Sequence, residues 1–391
     1  MLLFFWLSAI CAVYSYSGYP IILWFARHLV AVNDDLKGRI EQRAAANSAS
    51  FTMIVAAYNE GPHIRRKIES TRDALEKNPD NELIVVSDHS TDDTVAASER
   101  LRHPQVRVLE NEGRRGRAGA HNYAIRYAKN EFVIFSDVET RVPAETILKM
   151  VDILALPGIG CVNAEIVFEN EGDDKVSDAA GIYWRFEMWL RTCETLLGLY
   201  ATSSGPCMGI RRSLFKDLPA TGDVDFTTPL DVINAGYFCA HLNGHVAYDV
   251  MPPNADGEFK ARVRMVAKNF SGTISRWGAE NIIKRPVYTW ALYSHKIFRW
   301  LTPFFLLAAL TSNLIVLDQG WFYQATLCVQ GAFYGMAALG AVAYRKRRRW
   351  PVVQQIFGFV LVNIAFAIGV LKAIVGNVPA FYNPTRLQAK G

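Results

Sequence analysis

Apolar residues crowd the two ends of the chain, while the middle alternates short apolar runs with amphipathic stretches. From Met1 to Val30 Arg27 and His28 are the only basic residues and no acid is present, and from Trp300 to Val375 the chain is nearly as apolar outside the basic cluster Arg345 to Arg349. Runs of about 20 apolar residues are long enough to cross a bilayer. Spans are therefore expected at Leu2 to Phe25, Leu301 to Leu317, Trp321 to Ala343 and Val352 to Val375. No basic segment precedes the first run and no small-residue cleavage site follows it, so it reads as a retained span rather than a signal peptide. Lys37, Arg39 and Arg43 follow that span and, by the positive-inside bias, place the middle of the chain in the cytoplasm of an inner-membrane protein.

The middle carries the period of an α/β domain. FTMIVAAY, ELIVVSD, VRVLE and EFVIFSD read as buried strands, and IRRKIESTRDALEK, TVAASERLR, AGAHNYAIRYAK and AETILKMVDILAL as the helices between them. That alternation predicts a mostly parallel sheet. The expected organisation is a membrane helix over 1–30, a linker over 31–49, the α/β domain over 50–255, interfacial amphipathic helices over 256–300, about three spans over 301–376 and a tail over 377–391. The stretch 256–300 earns its assignment by alternating apolar and basic residues around Trp277, Trp290 and Trp300.

Polar groups recur just past the strand ends: Asn59 and Glu60, Asp88 and Ser90, Asp137 and Glu139. In an open α/β sheet that carboxyl edge is where ligands bind. Several carboxylates on one edge repel unless a divalent cation or ligand hydroxyls lie between them. Taken singly they also fit turns and helix caps, and Ser90 followed by Asp93 has the form of a capping box.

Composition narrows the classes. The net charge of +5 is accounted for by Lys and Arg flanking the apolar segments and gives no reason to invoke nucleic acid. The six cysteines form no close pairs and no metal spacing, as expected of reduced core residues. No GxxxxGK[ST] loop is present, and GRRGRAG at 113–119 lacks the context of a dinucleotide fingerprint. A nucleotide diphosphate would then rely on a metal at Asp137 and Glu139 helped by Arg117. A transporter fits poorly, because no span carries a clear ion-coupling acid.

From Phe51 to Trp300 the chain resembles the inverting family-two glycosyltransferases of the GT-A fold, in their membrane-anchored bacterial polysaccharide branch. VAAYNE, with Tyr58 and Glu60, resembles the family's opening strand motif, and VVSDHSTDDT its second. The resemblance implies that Glu60 contacts uridine and Asp88 the uracil. GRAGAHN, with Arg117 and Asn122, resembles a Gly-Lys-x-x-Ala-x-Asn element in which arginine keeps the charge. FSDVET resembles the metal-binding Asp-x-Asp, with Glu139 in the third position, and implies Mg²⁺ or Mn²⁺ as cofactor. SSGPCMGIRRSLF, with Gly205 and Arg212, resembles the segment lining the sugar pocket.

The resemblance further places a general base before a helix ending in Gly-Tyr. In GDVDFTTPLDVINAGY this is Asp225, with Asp223 as competitor. Processive members carry Gln-x-x-Arg-Trp beyond the base; at that spacing stands ARVRM, which keeps Arg262 and Arg264 as acceptor or interface groups and lacks Gln and Trp. TISRW at 273–277 keeps Arg276 and Trp277 but lies further along. The implied partners are a nucleotide-sugar donor, a lipid-linked or polysaccharide acceptor, membrane lipid, and partner subunits of a polysaccharide assembly system. The alternatives are a processive synthase that extrudes its product and a silent glycosyltransferase-like regulatory partner.

Overall fold

The computed structural model describes residues 1–29, 49–169, 176–200, 202, 203, 205–250, 255–346, 348 and 350–378. The expected linker up to residue 48, residues 170–175 and the tail beyond 378 lie outside the described residues. Contacts divide the described chain into two units: residues 1–24, 255–270 and 292–378 in one, and 25–250 with 271–291 in the other.

The second unit is built on a seven-stranded sheet. Its strands are β1 (Phe51–Ala57), β2 (Glu82–Ser87), β3 (Val106–Glu110), β4 (Phe132–Ser136), β5 (Ile159–Phe168), β6 (Cys207–Arg211) and β7 (Phe238–Asp249). They lie in the order β3-β2-β1-β4-β6-β5-β7. β1, β2 and β4 are Val/Ile-rich and buried on both faces, which is why they take the parallel centre of the sheet. β6 alone runs antiparallel to both of its neighbours. β5 and β7 extend the sheet in parallel, with Asn163 opposite His241 and Phe168 opposite Asp249. Every parallel strand therefore ends on the same edge.

Helices α2 (Gly61–Leu75), α3 (Thr94–Glu99), α4 (Arg117–Ala124) and α5 (Ala144–Leu154) follow the strands as the sequence pattern predicts. α6 (Val176–Leu196) and α7 (Val224–Asn234) cover the second half of the sheet. Gly209, in the middle of β6, lets α5 approach: a Cβ there would stand 2.9 Å from a Leu154 methyl. Gly119 is tighter still, because a Cβ would fall 1.7 Å from the Arg114 carbonyl oxygen. Gly119→Ala is expected to cost about 1–3 kcal/mol by overpacking, read as a lower thermal midpoint for the purified protein.

The capping box foreseen at Ser90 and Asp93 does not form. Asp93 is the N-cap of α3 without a side-chain cap bond, and the Ser90 hydroxyl accepts instead from the Asn59 amide at 3.1 Å. Asn59 and His89 both take positive φ, 54° and 61°. The loops after β1 and β2 thus brace each other, with the Thr91 amide donating to the Asn59 side chain at 2.8 Å and the Gly61 amide to Asp92 at 3.0 Å.

Four helices are long and apolar enough to cross a membrane: α1 (Leu2–Leu29), α10 (Pro286–Ile315), α11 (Trp321–Arg345) and α12 (Pro351–Ile374). α8 (Ala255–Arg276) and α9 (Ala279–Lys284) precede the last three of them. α10 opens at Pro286, well before the Leu301 expected from hydropathy, because proline suits a first helical turn; Trp290 and Trp300 therefore sit on this long helix. Within the first unit α1 and α10 each contain a π-turn, Tyr14–Gly18 and Tyr293–Ile297, joined by a Tyr14 to Ser294 hydroxyl contact of 2.9 Å. Small residues permit the closest helix approaches there: Gly340 faces the Val353 carbonyl, and Gly369 faces Val263 and Val266 of α8. Arg262 and Arg264 lie on α8 in this unit.

Candidate functional site

The carboxyl edge of the sheet gathers most of the residues that the sequence singled out. Asp88 follows β2, and its carboxylate is fixed by the Gly116 amide at 2.7 Å and the Asn111 side-chain amide at 2.8 Å. Those two bonds leave further lone pairs on a carboxylate that can accept about four. Tyr58 is half-buried just past β1, with the Arg115 guanidinium 5.7 Å from its ring centre. Glu60 is buried at the start of α2, its amide donating to the Thr94 hydroxyl at 2.8 Å.

Asp137 and Glu139 follow β4 on a turn held from below. Lys67 of α2 is buried there and donates to the Ser136 hydroxyl at 2.7 Å and to the Thr140 carbonyl at 2.6 Å, one residue outside each end of the acidic pair. Burial pulls its ammonium down to about 8, with Cys207, Asp137 and Asp249 acting in the opposite direction. Sequence reading missed Lys67 because a lysine in an amphipathic helix reads as solvated. Its place on the stripe of Ile64, Ile68 and Thr71, all buried, was the available signal.

Arg117 opens α4 and crosses the centre of the site. Its Nη2 donates to Asp137 Oδ1 at 2.5 Å and to the Gly205 carbonyl at 3.1 Å. Burial opposes its charge, yet Asp137, Asp225, Asp223 and Asp249 outweigh it and raise its pKa. Asp225 lies beside the same glycine: a Cβ on Gly205 would stand 3.1 Å from Asp225 Oδ2 and 3.6 Å from Arg117 Nη1. Glycine is the residue that lets the carboxylate and the guanidinium approach the same stretch of backbone. Asp223 is the N-cap of α7, so Asp225 sits inside its first turn and does not cap it. Burial, then the neighbouring Asp223 charge, lifts the Asp225 carboxyl to about 6.

A further carboxylate belongs to the site. Asp249 ends β7 and accepts from the Thr140 hydroxyl at 3.3 Å. Burial first, then Asp137 and Glu139, push it up to about 7. It was overlooked because the strand pattern of HVAYD went unread, although the rule that flagged the other strand-end acids applies to it. Asp137, Glu139 and Asp249 are hard oxygen donors, and the crowding that raises Asp249 is what a divalent cation would relieve, so the donor set fits Mg²⁺ or Mn²⁺. As arranged, no three such groups among the described residues converge closely enough to hold a metal ion.

Two expected site residues face elsewhere. Arg212 follows β6, and since β6 runs antiparallel to β4 it carries the chain away from Asp137: Ser136 pairs with Cys207 while Phe132 pairs with Arg211. The Arg212 guanidinium donates to the Ala128 carbonyl at 2.6 Å, at the amino edge of the sheet. Asn122 gives both ends of its amide to the Leu218 backbone, at 2.9 Å each, and clamps α4 to that segment. Trp277, the aromatic of TISRW, is buried with its indole N–H donating to Thr289 at 3.0 Å, and Arg276 reaches Asp231 at 3.6 Å.

Residues 52–219 match the family described as Glycosyl transferase family 2. An N-acetylglucosaminyltransferase of Bradyrhizobium diazoefficiens is 22% identical over 244 residues, 58% of this chain and 50% of that protein. A poly-beta-1,6-N-acetyl-D-glucosamine synthase of Staphylococcus epidermidis is 23% identical over 222 residues, 55% of this chain and 53% of that protein. The chain thus spans about half the length of these curated relatives. Among solved structures, the mannosyltransferase PcManGT of Pyrobaculum calidifontis, in complex with GDP-Man and Mn²⁺, superposes with a TM-score of 0.64 at 21% identity, covering 94% of this chain and 99% of that one. It shares the fold.

Proposed function

Residues 52–219 are a glycosyl transferase family 2 domain, and from that premise we propose that the chain is a membrane-held, inverting, metal-assisted transferase. It moves a sugar from a UDP-linked donor to a lipid-linked or polysaccharide acceptor at the cytoplasmic face, in polysaccharide synthesis. The observation that supports this reading is the approach of Arg117 and Asp225 to one glycine, Gly205, whose carbonyl accepts from the guanidinium and whose Cβ position lies 3.1 Å from the Asp225 carboxylate and 3.6 Å from the guanidinium. A cation suited to a diphosphate leaving group thereby faces the same gap as a carboxylate suited to a proton.

Each residue then has a defined task. Asp88, held rigid by Gly116 and Asn111, accepts an N–H of the nucleobase, and Tyr58 offers its ring face. Arg117 donates to diphosphate oxygens as negative charge grows on the leaving group. A divalent cation held by Asp137, Glu139 and Asp249 would neutralise further charge at the same diphosphate. Asp225 takes the proton of the acceptor hydroxyl at its Oδ atoms while that hydroxyl attacks the anomeric carbon from the face opposite the diphosphate, which inverts the configuration. Lys67 keeps the acidic turn in register beneath. The burial of Trp277 against Thr289 favours a single transfer, since this aromatic is not free to hold a growing chain.

Partition of the product tests the acceptor. Membranes holding the chain, given radiolabelled UDP-sugars, are expected to yield label in an organic extract as a short glycolipid. Label found only in long water-soluble polymer would contradict this reading.

A further inference from the structure

The acidic edge already holds a cation, and it is a side chain. Arg117 Nη2 donates to Asp137 Oδ1 and takes the Gly205 carbonyl as a second anchor. Both partners remain about one-third exposed at their side chains, 33% and 38%, so a ligand can reach the pair from solvent. Asp223, Asp225 and Asp249 lie close enough to act on the same guanidinium. Asp137 is also the first carboxylate of the turn assigned to the metal, so the guanidinium and a cation would claim the same oxygens.

We propose that Arg117 is the resident counter-ion of this edge and makes divalent-cation binding conditional on the donor. In the nucleotide-free protein the guanidinium occupies Asp137 and competes with the metal. A nucleoside diphosphate offers the guanidinium a better partner, with several anionic oxygens for its planar fork of donors. Asp137 is thereby released to the cation that arrives with the same diphosphate. Metal and donor consequently enter together, and the acidic edge does not collect metal between turnovers. The inference rests on the transferase reading and adds an order of binding to it.

Mn²⁺ alone is the first probe, titrated into detergent-solubilised full-length protein while the free aquo ion is followed by electron paramagnetic resonance. Wild type is expected to bind Mn²⁺ weakly by itself and much more tightly with UDP present. Arg117→Gln is expected to tighten Mn²⁺ binding in the absence of nucleotide by at least about fivefold, and to weaken UDP binding measured by calorimetry. Arg115→Gln is the control: it removes one equal charge two residues before Arg117 but leaves Asp137 occupied, and is expected to leave Mn²⁺ binding unchanged. A thermal midpoint near that of wild type identifies each variant as folded. If Arg117→Gln binds Mn²⁺ no more tightly than wild type, or if Arg115→Gln tightens it equally, the competition is refuted while the transferase reading stands. If wild type takes up no Mn²⁺ even with UDP, the metal assignment itself falls, and the competition with it.

Discussion

Asp225→Asn is expected to lower sugar transfer about 10³-fold while leaving nucleotide binding within a small factor of wild type. The substitution keeps the shape of the side chain and removes its capacity to accept a proton, so the loss falls on kcat. Arg117 keeps its bonds to Asp137 and to the Gly205 carbonyl in this variant, which is why donor affinity is expected to be spared. The same carboxylate sets the acid limb of the pH profile. Its pKa is raised to about 6 by burial and by Asp223, and only the ionised form acts as a base, so activity should be full above that value and fall as pH drops through about 6. Asp223→Asn serves as comparison: removing that charge eases ionisation of Asp225, and the acid limb should move to lower pH with transfer retained. If Asp223→Asn abolishes transfer and Asp225→Asn does not, the base has been assigned to the wrong carboxylate.

The second large effect is expected at Asp137. Asp137→Asn removes the carboxylate that holds Arg117 and that is proposed to hold the metal, and a loss of about 4 kcal/mol of charge stabilisation, roughly 10³-fold in rate, is expected. Unlike Asp225→Asn, this change should also weaken donor binding, and addition of EDTA should cause little further loss. Asp249→Asn should reduce metal affinity more modestly, because it relieves crowding as well as removing a donor. Steady-state kinetics with and without Mn²⁺ separate the three variants.

The sequence pattern carried the first half of the fold well, since buried parallel strands and amphipathic helices have periods that can be read locally. The groups it placed on one edge, Asn59, Glu60, Asp88, Ser90, Asp137 and Glu139, do lie just past the ends of β1, β2 and β4, and Arg117 and Asp225, whose motifs only the family resemblance supplied, stand in the first turns of α4 and α7. What it could not supply was strand direction. The reversal of β6 depends on long-range pairing with β4 and β5, and that reversal sends Arg212 to the opposite edge. Asp249 escaped for a related reason: it joins the edge only through the long β5 to β7 ladder. Lys67 shows a different limit, because whether a lysine on a helix is solvated or buried under a turn depends on what packs above it. Asn122 lies in a motif that was recognised, yet its amide is spent on the Leu218 backbone, so membership of a motif did not specify which atoms face the ligand.

Release of nucleotide diphosphate by the detergent-purified chain, across UDP-sugars with GDP-mannose as comparison and with or without EDTA, tests the central assignment most directly. The account predicts release of UDP from one donor, stopped by chelation and by Asp225→Asn. Absence of release from every donor, with membrane lipid extract supplied as acceptor, would contradict it.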